Sequence, residues 1–370
     1  MREARILIIG AGIGGLTASI ALRRRGFEVD MIERDPAWSV YGVGIIQQAN
    51  VIRAMTELGI IQDYLEAGFG FDYVDVFAPD GTHLAQVPSR KLVDAYPANL
   101  GIARPALHEV LGRCAQAAGA RIRLGVTATS LSGGDEVHVE FSDGSAGRYD
   151  IVIGADGLNS TTRAQLFPDA PRPQFTGQGV WRHNFPRPAS VVSLHAYAGS
   201  LGMGLVPLAD NLMYLFLTTP EPGNPHYARS GLARAMRDKL RDAAPAIAAY
   251  ADQIADDDAV VYKPLEWIFL TGPWHKGRVV LLGDAVHATT PHLGQGAGMA
   301  IEDGIVLADE LARAAEPEEA FAAYRARRFE RCRYIVEQSK AIGDSQLGLL
   351  PPVDQAKATR EMFEVVAAPI

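Results

Sequence analysis

Residues 5–15 read RILIIGAGIGG. Arg5 to Ile9 is an apolar run of the length and character of a strand covered on both faces. Gly10, Gly12 and Gly15 follow in GxGxxG spacing. Gly10 permits the sharp turn out of the strand, Gly12 lets the main chain approach a pyrophosphate, and Gly15 lets the next helix lie close to the strand. Leu16 to Arg25 continues as a helix with small and apolar residues on one face. Its arginines suit the negative end of the helix dipole, and Gly26 stops it. Phe27 to Ile32 is a second strand, ending at Glu33, where an acid reaches an adenosine ribose hydroxyl. Phosphates would sit on the free amides at the helix N-terminus. This β-α-β unit predicts a dinucleotide site, and the motif alone does not separate FAD from NAD.

Two further segments extend the same sheet. The apolar run Ile151 to Ile153 leads into Gly154-Ala-Asp156-Gly157-x-x-Ser160-x-x-Arg163. Val279 to Leu282 leads into Gly283-Asp284-Ala285-x-His287, then Pro291-x-x-Gly294-Gln295-Gly296 and Glu302-Asp303. Each puts an aspartate at the C-terminal end of a buried strand, where open α/β sheets bind ligands. Asp284 is suited to accept hydrogen bonds from sugar-chain hydroxyls. The turn at 294–298 opens a helix whose free amides present partial positive charge. An isoalloxazine that becomes anionic on reduction needs such charge near its N1–C2=O edge.

The rest of the chain is organised around these pieces. Phe71 to Pro97 has the alternation and turn residues of a hairpin, Pro105 to Ala118 reads as a helix, and Arg121 to Leu124 as a strand. Val137 to Phe141 and Gly147 to Tyr149 flank a Ser142-Asp143-Gly144 turn. From Pro171 to Trp267 the pattern is strand-rich, with one helix expected at Leu232 to Tyr250 whose Leu232, Met236 and Leu240 form a core stripe. Helices are expected from Gly298 to Ala315 and from Glu318 to Lys340. Gln346 to Ile370 carries little signal. The reading is an α/β nucleotide-binding domain (residues 1–72, 98–170 and 268–345) with an inserted β-sheet-rich substrate domain (73–97 and 171–267) and a C-terminal tail (346–370).

Composition narrows the partners. The 370 residues are 48% hydrophobic with a formal net charge of −8. That charge, without a segregated basic patch, argues against nucleic acid. Cys114 and Cys332 are far apart, which argues against a disulfide framework. No signal peptide is evident, and no apolar stretch is long enough to cross a membrane. The expectation is a cytoplasmic protein, monomer or homodimer, with no structural metal.

The three motifs, in this order and spacing, resemble those of the single-component FAD-dependent aromatic hydroxylases of the para-hydroxybenzoate and salicylate hydroxylase type. The likeness runs from Arg5 to about Lys340. It implies a Rossmann-like FAD-binding domain carrying an inserted sheet. It also implies an enzyme that uses NADPH or NADH and O2 to hydroxylate a small phenolic, benzoate or N-heteroaromatic compound through a flavin C4a-hydroperoxide. The cofactor-binding set it implies is Gly10, Gly12, Ile13, Gly14, Gly15, Glu33, Arg34, Gly44, Arg104, Val126, Asp156, Gly157, Asp284, Gly296, Ala297, Gly298 and Met299. Gly42-Val-Gly44-Ile45 resembles the family's loop beside the flavin ring, and Arg104 its flavin-contacting arginine. Pro291 and His292 match the segment beside the reactive face and are the catalytic candidates. His287 is read as a structural partner within its turn.

A second fingerprint for NAD(P)H is missing. Gly199 to Gly204 lacks a strand-turn-helix context and reads as a strand bend. Trp181, His183, His195, Met203, Leu205, Tyr214 and Phe216 fall on strand-like stretches of the inserted region. Tyr214 and Phe216, which share a face by the period of two, are the substrate candidates. Arg182 is the arginine there weighed as a carboxylate clamp, and no residue is assigned as a catalytic base. The arginines from Arg325 to Arg333 read as a solvated helix face. Three rival readings stay open: a flavin oxidase or dehydrogenase of an amine or alcohol, a non-catalytic flavin redox sensor, and a flavin-dependent halogenase. The halogenase Trp-x-Trp-x-Ile-Pro run is absent, and Trp267-Ile268-Phe269 does not match it.

Overall fold

The structure, a computed structural model, describes residues 4–40 and 42–370. Its first sheet has six strands. The strand Arg5–Ile9 lies between Glu28–Glu33 and Ile151–Gly154, all parallel, with Ile6 in register with both Val29 and Ile151. Arg121–Leu124 extends the sheet beyond Glu28–Glu33, Val279–Leu281 extends it beyond Ile151–Gly154, and the antiparallel His275–Lys276 closes that edge. Ile6, Leu7 and Ile8 have no exposed surface, as a parallel sheet covered on both faces requires.

The helix Ile13–Arg24 packs against the helix Gly296–Arg313. Gly304 is their contact point: a Cβ there would lie 2.7 Å from the Ala18 amide nitrogen. Chain segments almost three hundred residues apart therefore meet in the middle of one layer.

The second large sheet has seven strands, in the order Val261–Trp267, Gln174–Pro186, Leu212–Pro220, Met203–Pro207, Leu194–Tyr197, Tyr73–Phe77 and His83–Pro88. Gly199 to Gly204 spans the connection between two antiparallel strands of it. Its outer face buries Trp181, Phe185, Met203, Leu205, Met213, Leu215 and Leu217 against Ala233, Met236 and Leu240. The expected core stripe on that helix is therefore present. The helix is shorter than expected, Leu232–Leu240, with a separate turn at Pro245–Ala248. Pro245 has no amide hydrogen to donate and its ring would clash with the carbonyl of Arg241.

The inner face carries Val206 and Tyr214, with Phe216 packed beside them. It lies against Ile46, Phe69 and Phe71 of a three-stranded sheet formed by Gly44–Gln47, Asn99–Ala103 and Gly68–Phe71. A third, antiparallel sheet joins Ala128–Gly133, Val137–Phe141 and Ala146–Tyr149.

Two C-terminal features depart from expectation. The helix Pro317–Gln346 is longer than the sequence suggests, and residues 355–367 form a further helix, Gln355–Ala367, capped by the Asp354 side chain on the Lys357 amide. That helix buries Met362 and Val366 in the main core. Its closing carbonyls accept from Arg53 and Arg331, at 3.0 Å for Ala367 and 2.7 Å for Ala368. No helix among the described residues is long and apolar enough to cross a membrane.

Candidate active site

The first motif builds a cradle. Gly10 has φ +103°, and a Cβ there would lie 2.5 Å from the Ala155 carbonyl oxygen. A Cβ on Gly15 would lie 2.0 Å from the Gly10 oxygen, which is why that position admits no side chain. Gly12, by contrast, faces open space. It gives the helix no side-chain cap, and the first turn holds no acid. The amides of Ile13, Gly14 and Gly15 therefore keep their donors for a ligand. Gly14 turns its Cα hydrogen toward Leu282 and Ala300, so its small size also serves the packing of the third motif against the first.

Two side chains that the sequence reading missed pin this turn. Trp38 Nε1 and His108 Nε2 each lie 3.0 Å from the Ala11 carbonyl oxygen, and their rings meet edge to face at 4.8 Å. Trp38 has φ +49°, rare for a bulky residue, and its indole covers Gly112. An aromatic residue in a loop with no periodicity gives little sequence signal. Glu33 accepts from the Ala11 amide and the Asp35 amide, both at 3.0 Å, so it braces the turn as well as facing its rim. Arg34 is exposed beside it, and the buried Val126 donates its amide to the Glu33 carbonyl at 2.9 Å.

The second motif is occupied with its own geometry. Asp156 accepts from Ser160 Oγ at 2.5 Å and from the Thr162 amide and hydroxyl at 2.9 and 3.0 Å. Ser160 caps the helix Thr161–Leu166. The Asp156 carboxylate is thus held in place by its own turn. Gly157, at φ +78°, leaves open space. Arg163 links this motif to the third through the Ala285 carbonyl, 3.0 Å away.

The third motif has a buried side and an open side. On the buried side, Asp303 accepts from the Gly283 amide and lies 2.6 Å from His287 Nε2. This is the structural role expected of His287. Arg328 donates to Asp303 at 2.8 Å and to Glu302 at 2.7 Å, and Arg331 to Glu302 at 3.1 Å. Burial acts to raise the Asp303 pKa, but His287 and Arg328 outweigh it and hold the carboxyl well below the usual range. Arg328 and Arg331 thus correct the expectation of a solvated arginine face. Three residues apart, they turn the same side of the helix inward, because two buried carboxylates need counter-charge.

On the open side stands Asp284. Its carboxylate has no hydrogen-bond partner among the described residues. It is exposed, while desolvation by the surrounding protein raises its pKa, with His287 and Arg104 pulling the other way. An exposed carboxylate with no partner is free to meet a ligand. The helix Gly296–Arg313 starts there without a side-chain cap or an acid in its first turn, leaving the Gly296 to Gly298 amides as donors. Met299 does not join them. Its amide is bonded to the Gln295 carbonyl at 2.8 Å and its side chain is 1% exposed in the core. It is already one full turn into the helix.

The inner face of the seven-stranded sheet forms the opposing wall. Across the strands, Asn184 is in register with Tyr214, and Arg182 with Phe216. Period-two alternation puts these four on one face and sends Trp181, His183, His195, Met203 and Leu205 to the other. Tyr214 covers Gly44, where a Cβ would lie 2.2 Å from its ring. The Asn184 side chain donates to the Gly42 carbonyl at 2.6 Å, and the Arg104 amide to the Val43 carbonyl at 3.0 Å. The loop at 42–44 is thereby tied to the seven-stranded sheet on one side and to the start of the helix Arg104–Ala117 on the other.

Pro291 opens the short turn Pro291–Leu293. Both ring nitrogens of His292 are engaged: Nδ1 with Thr290 Oγ1 at 2.8 Å, and Nε2 with Gln346 Oε1 at 3.0 Å. An amide oxygen only accepts, so the proton is assigned to Nε2. Burial lowers the His292 pKa to about 4, so the ring is neutral at pH 7. Gln346 also accepts from Gln178 at 2.9 Å, joining this turn to the large sheet. A single glutamine at a helix end has no motif to flag it.

These residues fit FAD. The cradle at Gly12 stands open, the first-turn amides of two helices lack caps, and the Asp284 carboxylate stands exposed and unpartnered.

Comparison with known proteins gives the same result. A family model described as FAD binding domain matches residues 3–339. The aurachin C monooxygenase/isomerase of Stigmatella aurantiaca is 32% identical, over 91% of this chain and 88% of its own length. The 6-hydroxynicotinate 3-monooxygenase of Pseudomonas fluorescens is 32% identical, over 90% of each chain. The structure of Klebsiella pneumoniae HpxO complexed with FAD and uric acid has a similar fold, with a TM-score of 0.84 at 24% identity, covering 98% of this chain and 92% of that one.

Proposed function

Since this chain belongs to the FAD binding domain family and is an FAD-dependent monooxygenase, we propose that its substrate is a small planar aromatic, with an N-heteroaromatic ring the best match. NADPH or NADH would supply the electrons and O2 the oxygen atom. The observation that carries this reading is the inner sheet face: Tyr214 and Phe216, 6.1 Å apart, share it, and Tyr214 packs on Gly44 of the loop at 42–44. A flat apolar wall suits a flat aromatic ring. The relatives named for hydroxynicotinate and uric acid are consistent with a nitrogen heterocycle. The oxidase and sensor alternatives gain no support from these relatives.

The residues would divide the work as follows. Gly12 and the amides of Ile13, Gly14 and Gly15 would hold the pyrophosphate. Glu33 would hold the adenosine ribose, with Arg34 and Val126 at the rim. Asp284 would take the ribityl hydroxyls, and the amides of Gly296, Ala297 and Gly298 would face the ring edge, with Gly44 and Arg104 on its other side. Gly10 shapes the turn, and Gly157 leaves room beside it. When bound, FAD supplies the redox chemistry and the activation of O2.

The chain must exclude water and hold the substrate ring in reach. Tyr214, Phe216 and the clamped 42–44 loop would do so. Pro291 and His292 would shape the boundary of this space, with His292 as a neutral positioning group.

The test is consumption of NAD(P)H and O2 by the purified yellow protein, with and without phenols, benzoates and hydroxypyridines. The expected outcome is strong stimulation by one class and a product heavier by one oxygen atom. If none of these compounds stimulates turnover and an amine or alcohol bleaches the flavin directly, the reading fails.

A further inference from the structure

The turn that opens the helix Gly296–Arg313 is gripped by buried side chains, and Gln295 is at their centre. Gln295 is 1% exposed, and both ends of its amide are engaged within the protein. Its Oε1 accepts from Asn50 Nδ2 at 3.0 Å, and its Nε2 donates to Asn50 Oδ1 at 3.2 Å and to Gln48 Oε1. Asn50 Nδ2 also donates to Glu302 Oε1 at 3.1 Å. A carboxylate paired with two arginines only accepts, so this bond fixes which way the Asn50 amide points, and the reciprocal pair with Gln295 follows. Gln48 Nε2 donates to the Leu293 carbonyl at 3.3 Å. The glycines of the turn are fitted to these amides. A Cβ on Gly298 would lie 2.9 Å from Gln295 Oε1 and 3.2 Å from Asn50 Nδ2, and one on Gly294 would lie 3.3 Å from Gln48 Nε2.

The same network runs on to the C-terminal helix. Glu302 pairs with Arg328 and Arg331, and Arg53 Nη2 lies 3.8 Å from its carboxylate. Arg53 and Arg331 also reach the end of the helix Gln355–Ala367. Arg53 donates to the carbonyls of Val366, Ala367 and Ala368 at 3.0 to 3.1 Å, and Arg331 to those of Ala368 and Pro369 at 2.7 and 3.0 Å. Cations there meet unpaired carbonyls and the negative end of the helix dipole. The helix so anchored brings the Met362 sulfur to 3.6 Å from Gln295 Nε2, with Met362 itself 1% exposed. The family match ends at residue 339, before this helix begins.

Resting on the reading that the amides of Gly296, Ala297 and Gly298 face the flavin edge, we infer that Gln295, Asn50 and Met362 are positioning residues for that turn, and that the helix Gln355–Ala367 is its back wall. None of the three is assigned a contact with the cofactor. They act through the main chain of the turn. Donors fixed in place before charge develops stabilise that charge without reorganising. The flavin edge carries more negative charge after reduction, so a rigid turn favours the reduced cofactor over the oxidised one. A loosened turn would hold both forms less tightly, and the reduced form least. The C-terminal helix thereby sets two quantities, the affinity for FAD and its reduction potential.

The experiment titrates the cofactor-free full chain with FAD, followed by flavin fluorescence, and measures the flavin reduction potential against a reference dye. Both are read well below the melting temperature of each variant. Gln295→Leu removes the amide pair and should weaken FAD binding roughly tenfold. Its potential should fall, by about 30 mV for each tenfold by which the reduced form weakens more than the oxidised form. Met362→Ala leaves the hydrogen bonds among Gln48, Asn50, Gln295 and Glu302 in place and opens a void beside Gln295. It should move both quantities in the same direction and by less. Met362→Leu refills that void and should return both toward wild type. Met362→Ala decides the matter alone if Gln295→Leu does not fold.

The inference is overturned if Gln295→Leu and Met362→Ala lower the melting temperature but keep the wild-type FAD affinity and potential. The network would then be ordinary core that positions nothing. Gly296→Leu tests the turn itself. A Cβ on Gly296 meets only the Thr289 methyl, at 3.5 Å, so a larger side chain extends into the space assigned to the cofactor and should abolish FAD binding. If Gly296→Leu retains FAD, the placement of the cofactor at this turn falls, and the inference falls with it. If Gly296→Leu loses FAD while Gln295→Leu and Met362→Ala keep it, only the back wall falls.

Discussion

Two groups of charged side chains are built on opposite terms. Beneath the third motif, Glu302 and Asp303 are paired with His287, Arg328 and Arg331 at hydrogen-bond distances of 2.6 to 3.1 Å. Across the cleft, Arg182 and Asp284 each stand without a hydrogen-bonded partner among the described residues, and desolvation shifts both pKa values toward the neutral form. The chemistry of the groups is the same, and only their pairing differs. A paired buried charge completes itself within the fold, while an unpaired charge leaves a requirement that a ligand can meet.

The comparison is most exposed to failure at Arg328. Arg328→Ala strips a counter-charge shared by two buried carboxylates and should cost about 3–5 kcal/mol. Thermal or denaturant unfolding measures it. A variant that unfolds like the wild type would mean that the buried cluster is not structural after all.

The open group should respond in the opposite sense. Asp284→Ala should leave the stability of the cofactor-free protein intact and weaken FAD retention roughly 10- to 100-fold, read as the flavin-to-protein absorbance ratio after purification. A full flavin complement in that variant would remove Asp284 from the cofactor site and leave its unpaired state unexplained.

The smallest effect concerns His292, whose charge is suppressed by burial. Its folded pKa, about 4, lies below the ordinary 6.5. Between these values the unfolded chain binds the extra proton, so stability falls as pH drops below 6.5 and is fully lost from this source below about 4. The loss should be roughly 1 kcal/mol over the first pH unit of that window. His292→Gln, which keeps a donor for Gln346 and removes the titration, should flatten this part of the stability profile. An unchanged profile would show that His292 does not titrate as its surroundings require.

What could be read from the chain beforehand follows the same division. The cradle was legible because glycine spacing encodes local constraints: the Gly10 turn conformation and the Gly15 contact with the Gly10 oxygen lie within one motif, although the Ala155 carbonyl that also crowds Gly10 comes from far along the chain. The hairpins and the core stripe of Leu232–Leu240 were legible through periodicity. The arginine pair was misread because charge runs look alike whether they face water or two carboxylates some 25 residues away. For the inner sheet face, period two sorted Arg182, Tyr214 and Phe216 from Trp181 and His183 but could not tell which set faced the cleft. The local hydrogen bonding that holds Asp156 and the depth of Met299 within its helix are set by the folded chain and are not written in the motif. Trp38, Gln346 and the helix Gln355–Ala367 lie outside any motif, and only packing brings them to the site.

The order of strands in the first sheet has a consequence for how the protein is made. Arg5–Ile9 leaves the ribosome early, but its neighbour Ile151–Gly154 comes much later, and Val279–Leu281 and the helix Gly296–Arg313 later still. At ordinary rates of synthesis the first β-α-β unit waits on the order of tens of seconds for the segments that cover it. The hairpin-rich sheet has more of its pairings close in sequence and can form sooner. The nascent chain should therefore acquire the wall of its cleft before the floor, and FAD can be captured only once the last third of the chain has emerged.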